Sequence, residues 1–380
     1  IGTEQGKKYS KPTIGYEGYY GIVKTARMPE FMNGSEFAQY RHFRYSNAMD
    51  AQGSTTLGTY GAQNFWGITD GNYQTAWLTR GDISDSYIKD VIASGKETDW
   101  IGLFTQTAAQ QNHFVSVSGN GGNVNYHFGA GYQNEQGVFK GDNMERFNLK
   151  GTVDTKLTDW ISAGVSFNAA FKENRTVDDT AIGSAFRLNT VTRAYDDDGK
   201  VILYPGKSNY LGTSGDQFTG TANPLTDLES SYYNTRTYQL LANLYVQLQP
   251  IKDLTLKTTF SPSYTGIRTG QFEDTNTSAR GENLNHAYSY NVHKFQWTWD
   301  NQIDYNKTWN DHTLGIMGLF SASKFNQDNY DADVYGVISQ AMWYNMGQAS
   351  DKNNYSIGSA YTEWSMLSWA ARLAYNYKGR

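Results

Sequence analysis

The sequence predicts an all-β chain: a transmembrane antiparallel β-barrel, with about ten strands present as part of a larger barrel. Three observations predict it. Run after run alternates apolar and polar residues one by one, so successive side chains would point to a greasy face and a wet face. The connections between these runs alternate strictly between short and long. Proline is scarce, six in 380 residues, as long sheets require.

The first strand is expected over Thr13–Lys24, with Ile14, Tyr16, Gly18, Tyr20 and Ile22 on one face. Pro29–Ser35 follows, and Ser35 is placed to cap a short helix over Glu36–Tyr45. Residues 46–110 are rich in Gly, Ser, Thr and Gln and read as a long, partly helical loop. Strands are then expected over Asn112–Gly119 and Val124–Asn134, joined by a turn at 120–123. The second shows Val124, Tyr126, Phe128, Ala130 and Tyr132 on one face. Glu145–Leu157 sets Phe147, Leu149, Gly151, Val153 and Thr155 against Arg146, Asn148, Lys150, Thr152 and Asp154. Ile161–Phe171 repeats the pattern after a tight turn at 158–160. Lys172–Thr235 reads as a long loop.

Arg236–Gln249, Leu254–Tyr264, Asn291–Tyr305, His312–Phe325 and Glu363–Tyr377 complete the strands. The turns at 120–123, 158–160, 250–253 and 306–311 are short, and those at 135–144, 172–235, 265–290 and 326–362 are longer. Antiparallel neighbours put successive turns at opposite ends, so the short ones share one side. Outer-membrane barrels have this asymmetry, with short periplasmic turns and long extracellular loops. A soluble β-sandwich or propeller, including a soluble carbohydrate-binding protein, would not sort its loops by parity. It would also leave Trp297 and Trp299 on an exposed sticky face. Asn148, Lys150, Asp154, Asn243, Gln247, Asp300 and Asp304 would line a wet lumen. Tyr16, Tyr132, Trp160, Phe171, Tyr264, Tyr305, Trp309 and Tyr377 suit interfacial girdles.

A formal charge of −5 and the lack of any basic run give no support for a nucleic-acid partner. With no cysteine there is neither a disulfide framework nor a thiolate metal site. The opening IGTEQGKK lacks a signal-peptide core, so the chain reads as trimmed or as a piece of a larger barrel. No catalytic constellation, metal site or cofactor motif emerges. His113 and His127 lie in adjacent expected strands and could approach one another, but lumen-facing polar residues are the better reading. Asp196-Asp197-Asp198-Gly199 reads as a loop-tip turn more readily than as a calcium site. The candidates for binding are aromatics in the long segments, Trp66, Trp77, Tyr195, Tyr204, Tyr232, Tyr233, Trp343 and Tyr344. Their rings can stack on sugars or peptide side chains; the competing reading is that they pack the loops together.

The block Asn112–Phe171 resembles the SusC-like branch of the TonB-dependent outer-membrane transporters of Bacteroidota. The resemblance rests on Asn112-His113, Ser116 and Ser118-Gly119; on Tyr126, Gly131-Tyr132 and Gly137; and on Glu145–Leu149 running to Asp159-Trp160. IGTEQGKKYSKPTIGYEGYYG resembles the passage from plug to barrel in that family, and Met32-Asn33 to Tyr40-Arg41 resembles another of its motifs. The resemblance implies that residues 1–11 end a plug domain and that 12–380 form the early part of a barrel of about 22 strands. It also implies energised import of oligosaccharides or peptides, a SusD-like surface lipoprotein as lid, and coupling to TonB–ExbB–ExbD through a TonB box outside this sequence. Paired barrel–lid units embedded in outer-membrane lipid are a further implication. Rival readings are a siderophore or vitamin receptor of the same class, and a passive pore.

Overall fold

The computed structural model describes residues 11–37, 39–40, 91, 93–94, 97–205, 220–338, 343–349 and 351–378. Ten strands make one sheet: β1 Thr13–Val23, β2 Ala108–Asn120, β3 Val124–Gln136, β4 Asn143–Lys156, β5 Ile161–Arg175, β6 Ser231–Ile251, β7 Leu254–Glu273, β8 His286–Trp309, β9 His312–Tyr335 and β10 Tyr355–Tyr377. They lie in chain order, each antiparallel to the next. Among the described residues, short helices in the long connections include α1 Trp100–Phe104, α2 Asp179–Arg187 and α3 Leu225–Ser230.

The register sorts the side chains as the alternation requires. A continuous outward row runs His113, Tyr132, Phe147, Phe171, Tyr238 across β2 to β6. The rings of Tyr132 and Phe147, and those of Phe171 and Tyr238, sit 5.0 Å apart, close enough for favourable offset contacts. Below this row the same face carries Leu149, Ala169, Leu240 and Tyr264 in register. At the short-turn end Trp309, His312 and Tyr377 form a second aromatic row, with the imidazole 5.7 and 4.9 Å from its two neighbours. On β6 the outward face runs from Leu248 to Tyr238. Ten residues at about 3.4 Å each, tilted by about 40°, rise about 26 Å, which is the height of the apolar band of such barrels.

The inner ends of the strands fall within two residues of where the alternation puts them, except that β8 runs on to Trp309 and leaves a two-residue turn where 306–311 was expected. The outer ends do not. β6 starts at Ser231 rather than Arg236, β7 continues to Glu273 rather than Tyr264, and β8 starts at His286 rather than Asn291. β9 continues to Tyr335 and β10 starts at Tyr355, although the sequence pattern ends at Phe325 and begins at Glu363. Above the lipid no face meets hydrocarbon and part of the outward face is covered by the 343–349 segment, so the regular apolar–polar contrast disappears while the ladder of backbone hydrogen bonds goes on.

Two of the long connections are also more ordered than the sequence suggests. Lys172–Thr235 was expected to be loop and contains α2 and α3. Asp178 caps α2 by accepting from Thr180 N at 2.6 Å, with Asp179 in the first turn and Arg187 in the last, signs that suit the helix dipole. Near residue 35 the cap is Asn33, not Ser35. Its Oδ1 accepts from Glu36 N, and Glu36 Oε2 accepts from Asn33 N, a reciprocal box. Residues 41–45 of that expected helix lie outside the described residues.

Candidate functional site

The candidate site is the rim where the wet face meets the long connections. Trp100, Ile101 and Phe104 of α1 pack on Ala181, Ala185 and Leu188 around α2, and on Ala194 and Leu225, forming a hydrophobic core separate from the sheet. Polar ties lock it. Trp100 Nε1 donates to Asn189 O at 3.0 Å, Thr98 Oγ1 to Thr192 O at 2.7 Å, and Lys140 Nζ to Leu103 O at 2.6 Å. The fully buried Asn223 donates from Nδ2 to Ala194 O at 2.9 Å and accepts from Leu225 N at 3.1 Å. A rim with its own core can hold groups in fixed positions over the mouth.

Along that rim the wet faces of β6, β7, β8 and β9 end in a chain of polar groups. Tyr233 donates to Asp178 Oδ2 at 2.7 Å and also meets Glu273. Glu273 Oε2 lies 3.4 Å from His286 Nδ1, and His286 Nε2 lies 3.2 Å from Asp333 Oδ1. Beside this chain, Asp227 is 2% exposed. Both its oxygens face Ser278 N, at 3.2 and 3.0 Å. Burial pushes its carboxyl up to about 6. Burial likewise raises Asp142, against the opposing effect of the Val177 N–H it accepts at 2.7 Å. The rim thus offers carboxylates, a phenol and an imidazole, groups suited to binding polar ligands through hydrogen bonds. Among the described residues no group of three or more His, Asp or Glu is arranged to hold a metal ion.

The wet face below the rim carries all seven residues expected in the lumen. Asn148, Lys150 and Asp154 on β4, Asn243 and Gln247 on β6, and Asp300 and Asp304 on β8 share the face opposite the aromatic rows. Tyr245 donates to Asp154 at 2.7 Å, Lys257 lies over the Tyr245 ring at 4.6 Å, and Lys150 lies over Phe114 at 4.4 Å.

The eight expected binding aromatics separate. Trp66 and Trp77 lie outside the described residues. Tyr195 is 42% exposed beside a bridge to Val201. Tyr204 is half-buried near Gly281, where its hydroxyl occupies the space of a Cβ. Tyr233 belongs to the polar chain. Tyr232 points to the opposite, outward face and packs with Phe272, Ala287, Val334, Val337 and Trp343. Trp343, only 3% exposed, lies against Gly270 and under the Arg268 guanidinium, 4.4 Å away. It therefore pins its loop to the outside of the sheet and offers no free ring to the lumen. Tyr344 stacks on it at 4.5 Å and stays exposed.

Sequence reasoning missed Asp178, Glu273, His286 and Asp333, which lie on or beyond strand ends that the alternation does not mark. It also allowed His113 and His127 to approach one another. The register places His113 opposite Tyr132 and His127 opposite Ser118, on opposite faces, so they cannot share a ligand. Asp196 accepts from Asp198 N at 3.1 Å and Lys200 N at 2.8 Å, and Gly199 has φ +79°. That stretch is a closed turn.

A lipid face bounded by aromatic rows, a polar face, inner turns of two to four residues and an outer rim with its own core define the wall of an outer-membrane β-barrel. No family model matches the chain. It is 24% identical over 291 residues to TonB-dependent receptor P26 of Formosa agariphila, covering 74% of this chain and 28% of that protein. It is 21% identical over 334 residues to TonB-dependent receptor SusC of Bacteroides thetaiotaomicron, covering 84% and 28%. The chain thus spans little more than a quarter of these relatives. Its fold matches the RagAB peptide importer in the open-open state with a TM-score of 0.74, at 17% identity, over 99% of this chain and 41% of that one. The closed-closed state matches with a TM-score of 0.72 at 16% identity. In sequence the chain is thus similar to TonB-dependent receptors, SusC among them, and in fold to the RagAB importer.

Proposed function

We propose that the protein takes part in TonB-dependent active import of oligosaccharides across the outer membrane, together with a SusD-like lipoprotein lid. In this reading residues 12–380 form the early part of the barrel wall, and residues 1–11, of which 1–10 lie outside the described residues, close a plug. The observation that carries the reading is the pairing of a polar inner wall with a rim that has its own core. A passive pore needs only the wall, whereas a rim held in place by buried Asn223 and α1–α2 packing suits a surface that a lid meets repeatedly. Tyr195 and Tyr233 are the proposed substrate contacts, and the carboxylates of Asp178, Glu273 and Asp333 supply acceptors for sugar hydroxyls.

Peptide cargo is the second reading, favoured by the fold match to a peptide importer. The test is uptake of labelled oligosaccharide and peptide mixtures by cells carrying or lacking the gene, with TonB intact or inactivated. Oligosaccharide uptake that needs both the gene and TonB supports the proposal. Undiminished uptake without TonB makes the protein a passive pore. A defect confined to iron- or vitamin-limited growth makes it a receptor for those ligands.

A further inference from the structure

The outward row immediately above the aromatic row has an unbalanced composition. In register it reads Glu145, Glu173, Arg236, Arg268, Asn291 and Tyr330. Arg236 and Arg268 are direct cross-strand partners, a like-charge pair that costs stability unless an anion lies between or beside the two guanidiniums. The row also holds two carboxylates, Glu145, which accepts from the Tyr132 hydroxyl at 3.4 Å, and Glu173. Glu173 stands 3.5 Å from both Arg236 and Arg175, which lies one row higher. Arg236 Nε is buried without a hydrogen-bond partner. Arg268 is exposed, and among the described residues its one close partner is the Trp343 indole. Two arginines thus share Glu173, and among the described residues Arg268 has no carboxylate partner, at the level where lipid tails give way to headgroups.

Beside Arg268 the row opens into a groove of about 450 Å³ between the sheet and the 343–348 segment, lined by Asn291, Tyr330, Tyr344, Asn345 and Gln348. These are amide and phenol groups with two exposed aromatic rings, Tyr330 and Tyr344, a set suited to sugar hydroxyls and a sugar face. The groove lies on the outside of the wall and is continuous with the lipid face below.

We propose that this outward surface binds the phosphorylated sugar headgroup of an outer-leaflet glycolipid. The phosphate is held between Arg236 and Arg268, and the sugar lies in the groove against Tyr344. Guanidinium forks match phosphate oxygens, and cations at a membrane surface attract anionic headgroups. Aromatic residues just below fix the depth at which the headgroup rests. The proposal rests on the outer-membrane location and not on the cargo, so failure of the import reading leaves it untouched.

The test is native mass spectrometry of the full chain purified from outer membranes in detergent. Delipidated protein is then titrated with a monophosphorylated disaccharide glycolipid, with its dephosphorylated form, and with inorganic phosphate. Wild type is expected to retain the phosphorylated glycolipid and to lose affinity about tenfold or more on removing both charges in Arg236→Gln/Arg268→Gln. Arg236→Lys/Arg268→Lys should recover part of the loss, and Lys324→Gln, elsewhere on the outward face, should change nothing. Heat-modifiable gel mobility confirms that each variant is folded. Equal retention by wild type and the glutamine variant, or equal affinity for the dephosphorylated lipid, overturns the proposal. Full displacement by millimolar inorganic phosphate would make this a free-phosphate site and also overturns it.

Discussion

Leu244→Arg tests the assignment of faces most directly. Leu244 sits on the outward row of β6, paired with Val165 on one side and Phe260 on the other. Counting up from Leu248 at about 2.6 Å of vertical rise per residue, Leu244 lies about 10 Å above the inner edge of an apolar band about 26 Å high, within about 3 Å of its middle. An arginine there faces hydrocarbon and costs about 2–4 kcal/mol, while the same change near either edge, at Leu248 or Tyr238, costs about 0–1 kcal/mol. Asn243, one residue away, points into the lumen and donates to Ser261 Oγ at 2.9 Å. Asn243→Arg keeps its charge in water and loses about 1 kcal/mol with that bond. Urea titration of the complete barrel in phospholipid vesicles, read by gel mobility, measures all four. An Asn243→Arg cost equal to that of Leu244→Arg, or a flat profile from Leu248 to Tyr238, would refute both the faces and the depth scale.

Three further outcomes follow from the rim and wall. Asp227 has a folded-state pKa raised from 3.8 to about 6, so its protonated form stabilises the rim. That stability is present below about pH 4, declines between pH 4 and 6 and is gone above, a swing of about 2–3 kcal/mol at most. Hydrogen exchange at Ser278 and in α3, corrected for intrinsic rates, should follow this profile and become flat in Asp227→Asn; an unchanged profile in the variant refutes the assignment. Gly270→Val puts a side chain where the Trp343 indole lies, so exchange in 343–349 should rise about tenfold as the loop leaves the sheet. Protection at the wild-type level there would mean the indole is not seated on Gly270. Tyr245→Phe removes the bond to Asp154 and should lower stability by about 1–2 kcal/mol in the same urea titration, whereas a neutral change would show the pair to be bridged equally well by lumen water.

The sequence discloses this fold where a physical contrast writes it. Between Phe147 and Thr155, or Tyr238 and Leu248, each residue faces either lipid or lumen water, and the two solvents select opposite side chains. The inner strand ends apart from that of β8, the chain order of the sheet and the seven lumen residues follow from that contrast alone. Ser231–Thr235 and Thr265–Glu273 are strand too, but neither face meets lipid and the outward one is partly covered by the Trp343 segment, so no regular alternation distinguishes them from loop. The rim was illegible for a related reason. Asp178, Tyr233, Glu273, His286 and Asp333 are far apart in sequence and meet only through the register of strands whose outer ends carry no signal. Trp343 misled because a loop tryptophan can face either side of the wall, and only the empty space at Gly270 decides which.

The inner turns at Lys252-Asp253 and Asn310-Asp311 are two residues long, the latter with Asn310 at φ +49°. They set the zero from which each hairpin is counted. One residue inserted there would turn every following side chain of the strand to the wrong solvent. Insertions of any length beyond Glu273 or Tyr335 leave that count unchanged. The chain is therefore unequally open to variation along its height: new surface can be tried at the outer end without reopening the match between wall and membrane. A scaffold with its tolerance concentrated at one end can change what it meets outside the cell while keeping the wall that holds it.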